Sequence, residues 1–199
     1  MAKHASTAVP LHPLLAERWS PRGFDAQHRL SDTQVMALLE AARWAPSSVN
    51  SQPWRFLVGH RGDSTFAGLL ESLAAGNRLW AGNASALILV AAETADPMTG
   101  AARSHALYDA GQAVALLTAQ AQAEGLGVHQ MGGFSARRVM ENFGLDAALT
   151  PVIILAVGKP DPAATLPDDL ATRERAPRVR KPLEELLIPV AGTVVAHSA

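Results

Sequence analysis

The ten-residue segment APSSVNSQPW (residues 45–54) lies between a predicted helix and a predicted strand. Apolar residues recur at helical spacing from Val35 to Ala42, and this helix must end before Pro46 because proline disfavours helical geometry in the preceding residue. An apolar run typical of a strand begins at Trp54. The two prolines enclose five polar side chains with no evident partner within the segment. The pattern predicts a loop that presents hydrogen-bonding groups to something outside itself.

Composition bounds the possible function classes. The chain has 199 residues, 48% of them hydrophobic, with a formal net charge of −1. We expect a single domain spanning residues 1–199 and no global attraction to nucleic acid or to an anionic membrane. The absence of cysteine excludes disulfides and thiolate metal sites. Residues 1–10 lack the apolar core of a signal peptide and no long apolar run follows, so we expect a soluble, cytoplasmic protein.

Helical and strand patterns alternate along the chain and predict an α+β or α/β fold around a buried sheet. The predicted strands are Trp54–Gly59, Ala86–Ala91 and Pro151–Val157. The predicted helices are Pro13–Arg18, a helix capped by Ser31 with Gln34, Ser64–Ala75, Ser104–Glu124, and a helix from the Ser135 cap to Phe143. Residues 158–182 are rich in proline and charge, and a short helical PLEELL and a non-periodic tail follow.

The predicted helix Ser104–Glu124 is apolar around most of its circumference. A helix without a polar face is buried either at the centre of a fold or between subunits. We therefore expect this helix to lie in one of these two places.

Two basic clusters flank most of the chain. Arg18-Trp19-Ser20-Pro21-Arg22 follows the first predicted helix, and Arg178-Val179-Arg180-Lys181 precedes PLEELL. Guanidinium and hydroxyl groups at this spacing suit an anion with several oxygens, such as a phosphate. Each cluster alone is more typical of a solvated surface or a linker. The polar loop at residues 45–54 favours the binding interpretation.

Other site patterns are absent from the sequence. The seven histidines show no metal-binding spacing, so we expect no metal. Gly125-Leu126-Gly127 lacks the third glycine of a dinucleotide fingerprint and follows a helix. Ser47 and Ser48 have no nearby histidine, so we interpret them as hydrogen-bonding groups and not as nucleophiles. No catalytic side chain is predicted.

In order along the chain, from about Leu14 to Leu187, these pieces resemble the nitroreductase family of flavin mononucleotide (FMN) oxidoreductases. The matching pieces are Arg18–Phe24, APSSVNSQPW, Asn77, Met131-Gly132-Gly133-Phe134, Gly158-Lys159-Pro160 and the segment from Arg178 to Glu185. The resemblance implies an α+β fold with three α/β/α layers, a mixed and mainly antiparallel sheet, and an intertwined homodimer with FMN at its interface. The segment of about 183–199 would embrace the partner or form a flexible tail.

The resemblance also implies the cofactor site. Arg18, Ser20, Arg178 and Arg180 would hold the phosphate and ribityl chain, and Arg22 would face the N1/O2 edge of the flavin. Asn77 would form a hydrogen bond with the pyrimidine side of the flavin ring. Ser47, Ser48 and Asn50 would reach the flavin from the partner subunit. The backbone around Gly132 and Gly133 would lie near flavin N5. The implied site is Arg18, Trp19, Ser20, Arg22, Pro46, Ser47, Ser48, Asn50, Asn77, Met131, Gly132, Gly133, Arg178 and Arg180.

The implied activity passes electrons from NAD(P)H through flavin N5 to a nitroaromatic or quinone by a ping-pong mechanism. Alternatives are a non-catalytic FMN-binding or storage protein, a specialised flavin enzyme such as an enone reductase or dehalogenase, and a regulatory protein with a basic patch. One position departs from the pattern: Trp80 stands where several family members carry a basic residue. Trp80 is either part of the core or a wall of the cavity over the flavin, and Arg78 is the other candidate for a second charge.

Overall fold

A computed structural model describes residues 3–188 of the chain. Its strands are β1 (Trp54–His60), β2 (Ala86–Glu93), β3 (Gly127–Met131) and β4 (Leu149–Gly158). Its α-helices are α1 (Pro13–Ala16), α2 (Asp32–Arg43), α3 (Ser64–Ser72), α4 (Ala75–Ala81), α5 (Ala106–Ala123), α6 (Ala136–Phe143) and α7 (Asp168–Arg175). Short 3-10 turns occupy Ser48–Asn50 and Leu183–Leu186.

The four strands form one sheet with the order β1-β2-β4-β3. The central strands β2 and β4 pair directly although α5 and β3 separate them in sequence, and Ile88 stands between Val58 on one side and Leu155 on the other. All three pairings are antiparallel. The mainly antiparallel sheet is confirmed, and the parallel pair that a mixed sheet requires is not found between residues 3 and 188.

Helices cover both faces of the sheet. Along β2, Ile88 and Val90 pack in one buried cluster with residues of α2 and α5. Leu87 and Leu89 point the opposite way, into a second cluster with residues of α3, α4 and α6. This period-two alternation with both faces apolar explains why the strand has an unbroken apolar sequence. The three-layer α/β/α architecture and the α+β class are confirmed.

Local capping chemistry determines the start of α2 and both ends of α6. Ser31 and Gln34 form the predicted capping box, in which each side chain accepts a hydrogen bond from the backbone of the other. Helix α2 then ends at Arg43, before Pro46 as predicted. Helix α6 begins after the predicted Ser135 cap and ends at Phe143. Its C-terminal cap is Gly144, whose φ of 56° is the left-handed conformation that glycine adopts readily.

The predicted helix Ser64–Ala75 is present as α3 but ends at Ser72, and a separate helix, α4, begins at Ala75. The backbone becomes extended at Leu73, which pairs with Phe134, and the Ala74 amide donates to the Gly133 carbonyl at 2.9 Å. A tertiary hydrogen bond to residues 133–134 thus replaces continuation of the helix. The break is important for the site because it brings the start of α4 against Gly133.

Besides α4 and the 3-10 turn Ser48–Asn50, two further elements, β3 and α7, were not predicted from the sequence. β3 has five residues and lies at the edge of the sheet, where it pairs with β4 alone. Helix α7 carries one buried apolar residue, Leu170, so it lacks an amphipathic pattern. Its acidic first turn and basic last turn instead complement the helix dipole. Both elements contribute to the site described below.

Helix α5 packs on the sheet with one face only. Its small residues, such as Ala110 and Ala113, are buried, whereas Leu107, Tyr108 and Leu116 are 51%, 68% and 39% exposed. The predicted lack of a polar face is therefore visible as apolar side chains on the protomer surface. Within residues 3–188, no helix has the length and apolar character needed to cross a membrane.

Candidate functional site

The two basic clusters meet in one cavity of about 240 Å³. Its lining includes six predicted site residues: Arg18, Trp19, Ser20, Arg22, Arg178 and Arg180. About 150 residues of chain separate the two clusters, and the whole sheet forms between them. The lining also includes Lys3 from the N-terminal segment and Arg173 from α7, which the sequence reasoning did not predict. We call this cavity the basic pocket.

Hydrogen bonds to backbone carbonyls hold Arg178 across this pocket. Its Nη1 donates to the carbonyl of Ala16 at 2.6 Å and to that of Lys3 at 2.9 Å. The Arg18 guanidinium lies 3.5 Å from the Ser20 hydroxyl. Burial, and then the charge of the neighbouring guanidinium groups, lowers the pKa of both Arg18 and Arg178. Crowded cations of this kind repel one another, and a bound anion would relieve that repulsion.

Arg22 is the one arginine of the pocket lining with a carboxylate partner in the described residues. Glu174 on α7 lies 3.9 Å from its guanidinium, and the same carboxylate accepts the backbone N–H of Arg22 at 3.0 Å and that of Gly23 at 3.0 Å. The Arg22 and Glu174 side chains are 24% and 13% exposed. Glu174 therefore positions the loop that carries Arg22 and partly balances its charge.

Trp80 belongs to the core. It is 2% exposed and packs between Phe24 and His129, with ring centroids 6.2 Å and 4.5 Å away; the Phe24 ring is stacked on it and the His129 ring is tilted. His129 Nδ1 lies 3.0 Å from the Pro21 carbonyl, so this nitrogen carries the proton and donates it. Burial, and then the charge of Arg22, lowers the pKa of His129 to about 4. His129 thus links β3 to the Arg22 loop as a neutral imidazole, and Arg78, the alternative second charge, lies on the exposed face of α4.

A second group of predicted residues meets where α4 begins. The Asn77 Nδ2 donates to the Gly133 carbonyl at 3.1 Å. A Cβ atom on Gly133 would meet that nitrogen at 3.1 Å, whereas one on Gly132 would meet nothing within 4 Å. The Met131 side chain is 2% exposed and packs in the core, so only its backbone faces this region.

The loop at residues 45–54 has an unusual backbone. Val49, Asn50 and Gln52 have φ values of 54°, 54° and 44°, in the left-handed region. This conformation is strained for a branched side chain, and the Val49 side chain is 98% exposed. Strain of this kind persists only where surrounding contacts impose it, and it concentrates at functional sites.

Two side chains hold this loop in place. The buried Asp109 of α5 accepts the Ser48 amide at 3.0 Å, and the Ser47 hydroxyl accepts the Gln52 amide at 3.0 Å. The expectation that the loop has no partner within itself was wrong for Ser47. Ser48 and Val49 line a separate cavity of about 490 Å³ with the segment before α5. Neither lines the basic pocket of the same protomer.

The protein is thus a three-layer α/β/α chain with a cationic pocket between its terminal segments. A family model described as the nitroreductase family matches residues 15–159, so the chain belongs to that family. A 15.4 kDa protein of Mycolicibacterium smegmatis is 38% identical over 140 residues, or 66% of this chain and 92% of that protein. YdgI of Bacillus subtilis strain 168, provisionally named an NAD(P)H nitroreductase, is 29% identical across 73% of this chain and 86% of its own.

One solved structure, described as an oxidoreductase containing FMN, superposes with a TM-score of 0.88. It is 33% identical in sequence, and the match covers 97% of this chain and 98% of the other. The fold of residues 3–188 is therefore that of an FMN-containing relative over nearly its full length.

Proposed function

We propose that this protein is an FMN-dependent oxidoreductase that passes electrons from NAD(P)H to an electron-poor acceptor, such as a nitroaromatic compound or a quinone. The observation that carries the proposal is the convergence of Arg18, Arg178 and Arg180 on one cavity of about 240 Å³. Family membership supports it, as do the FMN of the similar solved structure and the NAD(P)H in the name of YdgI.

The basic pocket fits the phosphate end of FMN. A phosphate monoester carries up to two negative charges and accepts charge-assisted hydrogen bonds from guanidinium groups. We assign this contact to Arg18, Arg178 and Arg180, with the Ser20 hydroxyl as a neutral donor and Trp19 as part of the wall. Burial, and then the repulsion between neighbouring guanidinium groups, lowers the pKa of Arg18 and Arg178, and a bound anion would offset both effects, which supports this assignment.

The region around Asn77 fits the ring end of FMN. The open space beside Gly132 leaves room for a flat ring to approach the backbone. We assign the backbone of residues 131–133 to the N5 side of the ring and Asn77 to its pyrimidine side. Arg22 would lie toward N1 and O2, where positive charge raises the reduction potential of a flavin. Because Glu174 partly balances this charge, it would moderate the effect.

Bound FMN would supply the redox chemistry, so the protein needs no acid or base side chain for it. The residues of the site would bind and orient the cofactor and would leave one face of its ring open. NAD(P)H and the acceptor would use that face in turn, which is a ping-pong mechanism. NAD(P)H is a metabolite of the cytoplasm, and we expect the protein to act there.

We further propose a homodimer in which each site is shared. The exposed Leu107, Tyr108 and Leu116 of α5 provide an apolar surface for a second copy of the chain. In this arrangement the loop with Pro46, Ser47, Ser48 and Asn50 would reach the FMN of the other protomer. Two observations support this assignment: the loop has a strained backbone, and its residues do not line the basic pocket of their own protomer.

The C-terminal segment would contribute to the same dimer. Leu183, Leu186, Leu187 and Ile188 are 60%, 61%, 49% and 89% exposed, a density of apolar side chains that a partner surface would cover. Residues 189–199, the rest of the predicted embracing or flexible tail, lie outside the described residues.

An anaerobic titration tests the proposal. The purified protein is loaded with FMN and mixed with NADH or NADPH, and the visible flavin band is followed. We expect the band to bleach and to return when a nitroaromatic compound or a quinone is added. A colourless protein that does not take up FMN would refute the proposal. Bound FMN that neither reductant bleaches would favour the storage protein instead.

A further inference from the structure

We propose that Lys3 is an additional phosphate ligand and that the N-terminal arm, residues 3–5, clasps the phosphate end of the cofactor. This inference rests on the proposed function. The arm lies against the basic pocket at three points: the Ala5 amide donates to Ala16 at 2.8 Å, the Lys3 carbonyl accepts from Arg178 at 2.9 Å, and the Lys3 ammonium donates to Ala176 at 2.8 Å. It therefore joins the two segments whose arginines line the pocket.

The ammonium group of Lys3 is placed to contact an anion. It lies 4.6 Å from the centroid of the Trp19 ring, which holds the side chain over the pocket by a cation–π contact. An ammonium has three donors, and the hydrogen bond to the Ala176 carbonyl uses one of them. Burial, opposed by the charge of Glu174, lowers the pKa of Lys3, with smaller contributions from Arg22 and Arg178. A bound phosphate would add negative charge to that of Glu174 and would favour the charged form of Lys3.

The arm also acts through Arg178. Because one Nη1 atom bonds both Lys3 and Ala16, the carbonyl of the arm helps to orient the guanidinium toward the pocket. Lys3 would thus serve twice, with its carbonyl as a positioning group and its ammonium as a direct ligand. Replacing the side chain tests the second role without removing the carbonyl.

The test compares FMN with riboflavin, which has the same ring and ribityl chain but no phosphate. The apoprotein is titrated with each flavin, and binding is measured by quenching of flavin fluorescence. We expect Lys3→Met, which keeps the length of the side chain without its charge, to raise the Kd for FMN about tenfold. The Kd for riboflavin should stay the same. Lys3→Arg should retain most of the FMN affinity, and Lys159→Met, at an exposed lysine outside the pocket lining, is the matched control.

The outcomes separate this inference from the proposed function. Wild-type protein that binds no FMN would overturn both. A wild type that prefers FMN to riboflavin, together with a Lys3→Met variant that keeps the same preference, would overturn only the role of Lys3. If Lys3→Met weakens FMN and riboflavin equally, the arm stabilises the fold and does not bind phosphate.

Discussion

Among the residues around the site, Glu174 is the one whose replacement should most clearly lower the stability of the fold. Its carboxylate accepts the Arg22 amide at 3.0 and 3.1 Å and the Gly23 amide at 3.0 Å, and its side chain is 13% exposed. A hydrogen bond to a charged group contributes about 1.5–3 kcal/mol, and these bonds share acceptor atoms, so they are not additive. We expect Glu174→Ala to lower the free energy of unfolding of the apoprotein by about 2–3 kcal/mol.

Glu174→Gln should cost less than Glu174→Ala. The amide oxygen can keep the position of Oε1 and accept both backbone N–H groups, but its NH₂ group would then face the Arg22 amide. We expect a loss of about 1 kcal/mol for Gln. In a domain of this size each kcal/mol lowers Tm by roughly 2–4 °C, so the Ala variant should melt roughly 4–12 °C below wild type.

Thermal unfolding followed by circular dichroism measures these differences. Glu141→Ala is the matched control, because Glu141 is 60% exposed and its ion pair with Arg137 lies on the surface. We expect that control to lie within about 0.5 kcal/mol of wild type. If Glu174→Ala and Glu141→Ala melt at the same temperature, the Glu174 carboxylate does not hold the Arg22 loop as inferred.

Three further predictions concern the pocket, the ring end and the histidine link. Arg180→Ala should weaken FMN binding at least tenfold, because it removes a charged donor from the proposed phosphate site. The Tm of the apoprotein should change little, because within the described residues the Arg180 guanidinium donates only to the adjacent Val179 carbonyl. An unchanged Kd for FMN would remove Arg180 from the phosphate site. Gly133→Ala should displace the Asn77 side chain and lower the free energy of unfolding by about 1 kcal/mol, whereas Gly132→Ala should do neither. Equal Tm values for the two variants would contradict the close packing of Gly133 against Asn77. The pKa of His129 is lowered to about 4 in the folded protein, so as pH falls below about 6.5 the unfolded chain takes up this proton and the folded protein does not. Stability should therefore fall by up to about 3 kcal/mol as the pH is lowered from about 6.5 to about 4. Urea unfolding at several pH values should show this loss in wild type and less of it in His129→Gln; parallel curves would show that His129 is not the group responsible.

Local patterns in the sequence were enough to predict the elements whose causes are local. The Ser31 capping box, the stop before Pro46 and the Ser135 cap each depend on residues within one or two turns. The apolar runs that became β2 and β4 were also evident, because both faces of these strands are covered. The sequence could therefore predict the buried sheet and most of its helices.

The remaining features depend on contacts that are distant in sequence. The break between α3 and α4 comes from hydrogen bonding of Ala74 to Gly133, which no local propensity reveals. Helix α7 has no apolar periodicity, yet it delivers Glu174 to the Arg22 loop. The composition of the two arginine clusters suggested an anion site, but only the family resemblance placed both clusters at the same end of one cofactor. Lys3, Arg173 and Glu174 gave no comparable signal, because each became part of the site through tertiary packing.

The most direct test is a crystal structure of the protein with bound FMN. We predict the phosphate within hydrogen-bonding distance of Arg18 and Arg178 in the basic pocket. The ring should lie beside Gly132, and the loop at residues 46–50 of a second protomer should contact it. A flavin bound away from the basic pocket, or a site completed by one protomer alone, would contradict the proposed cofactor site.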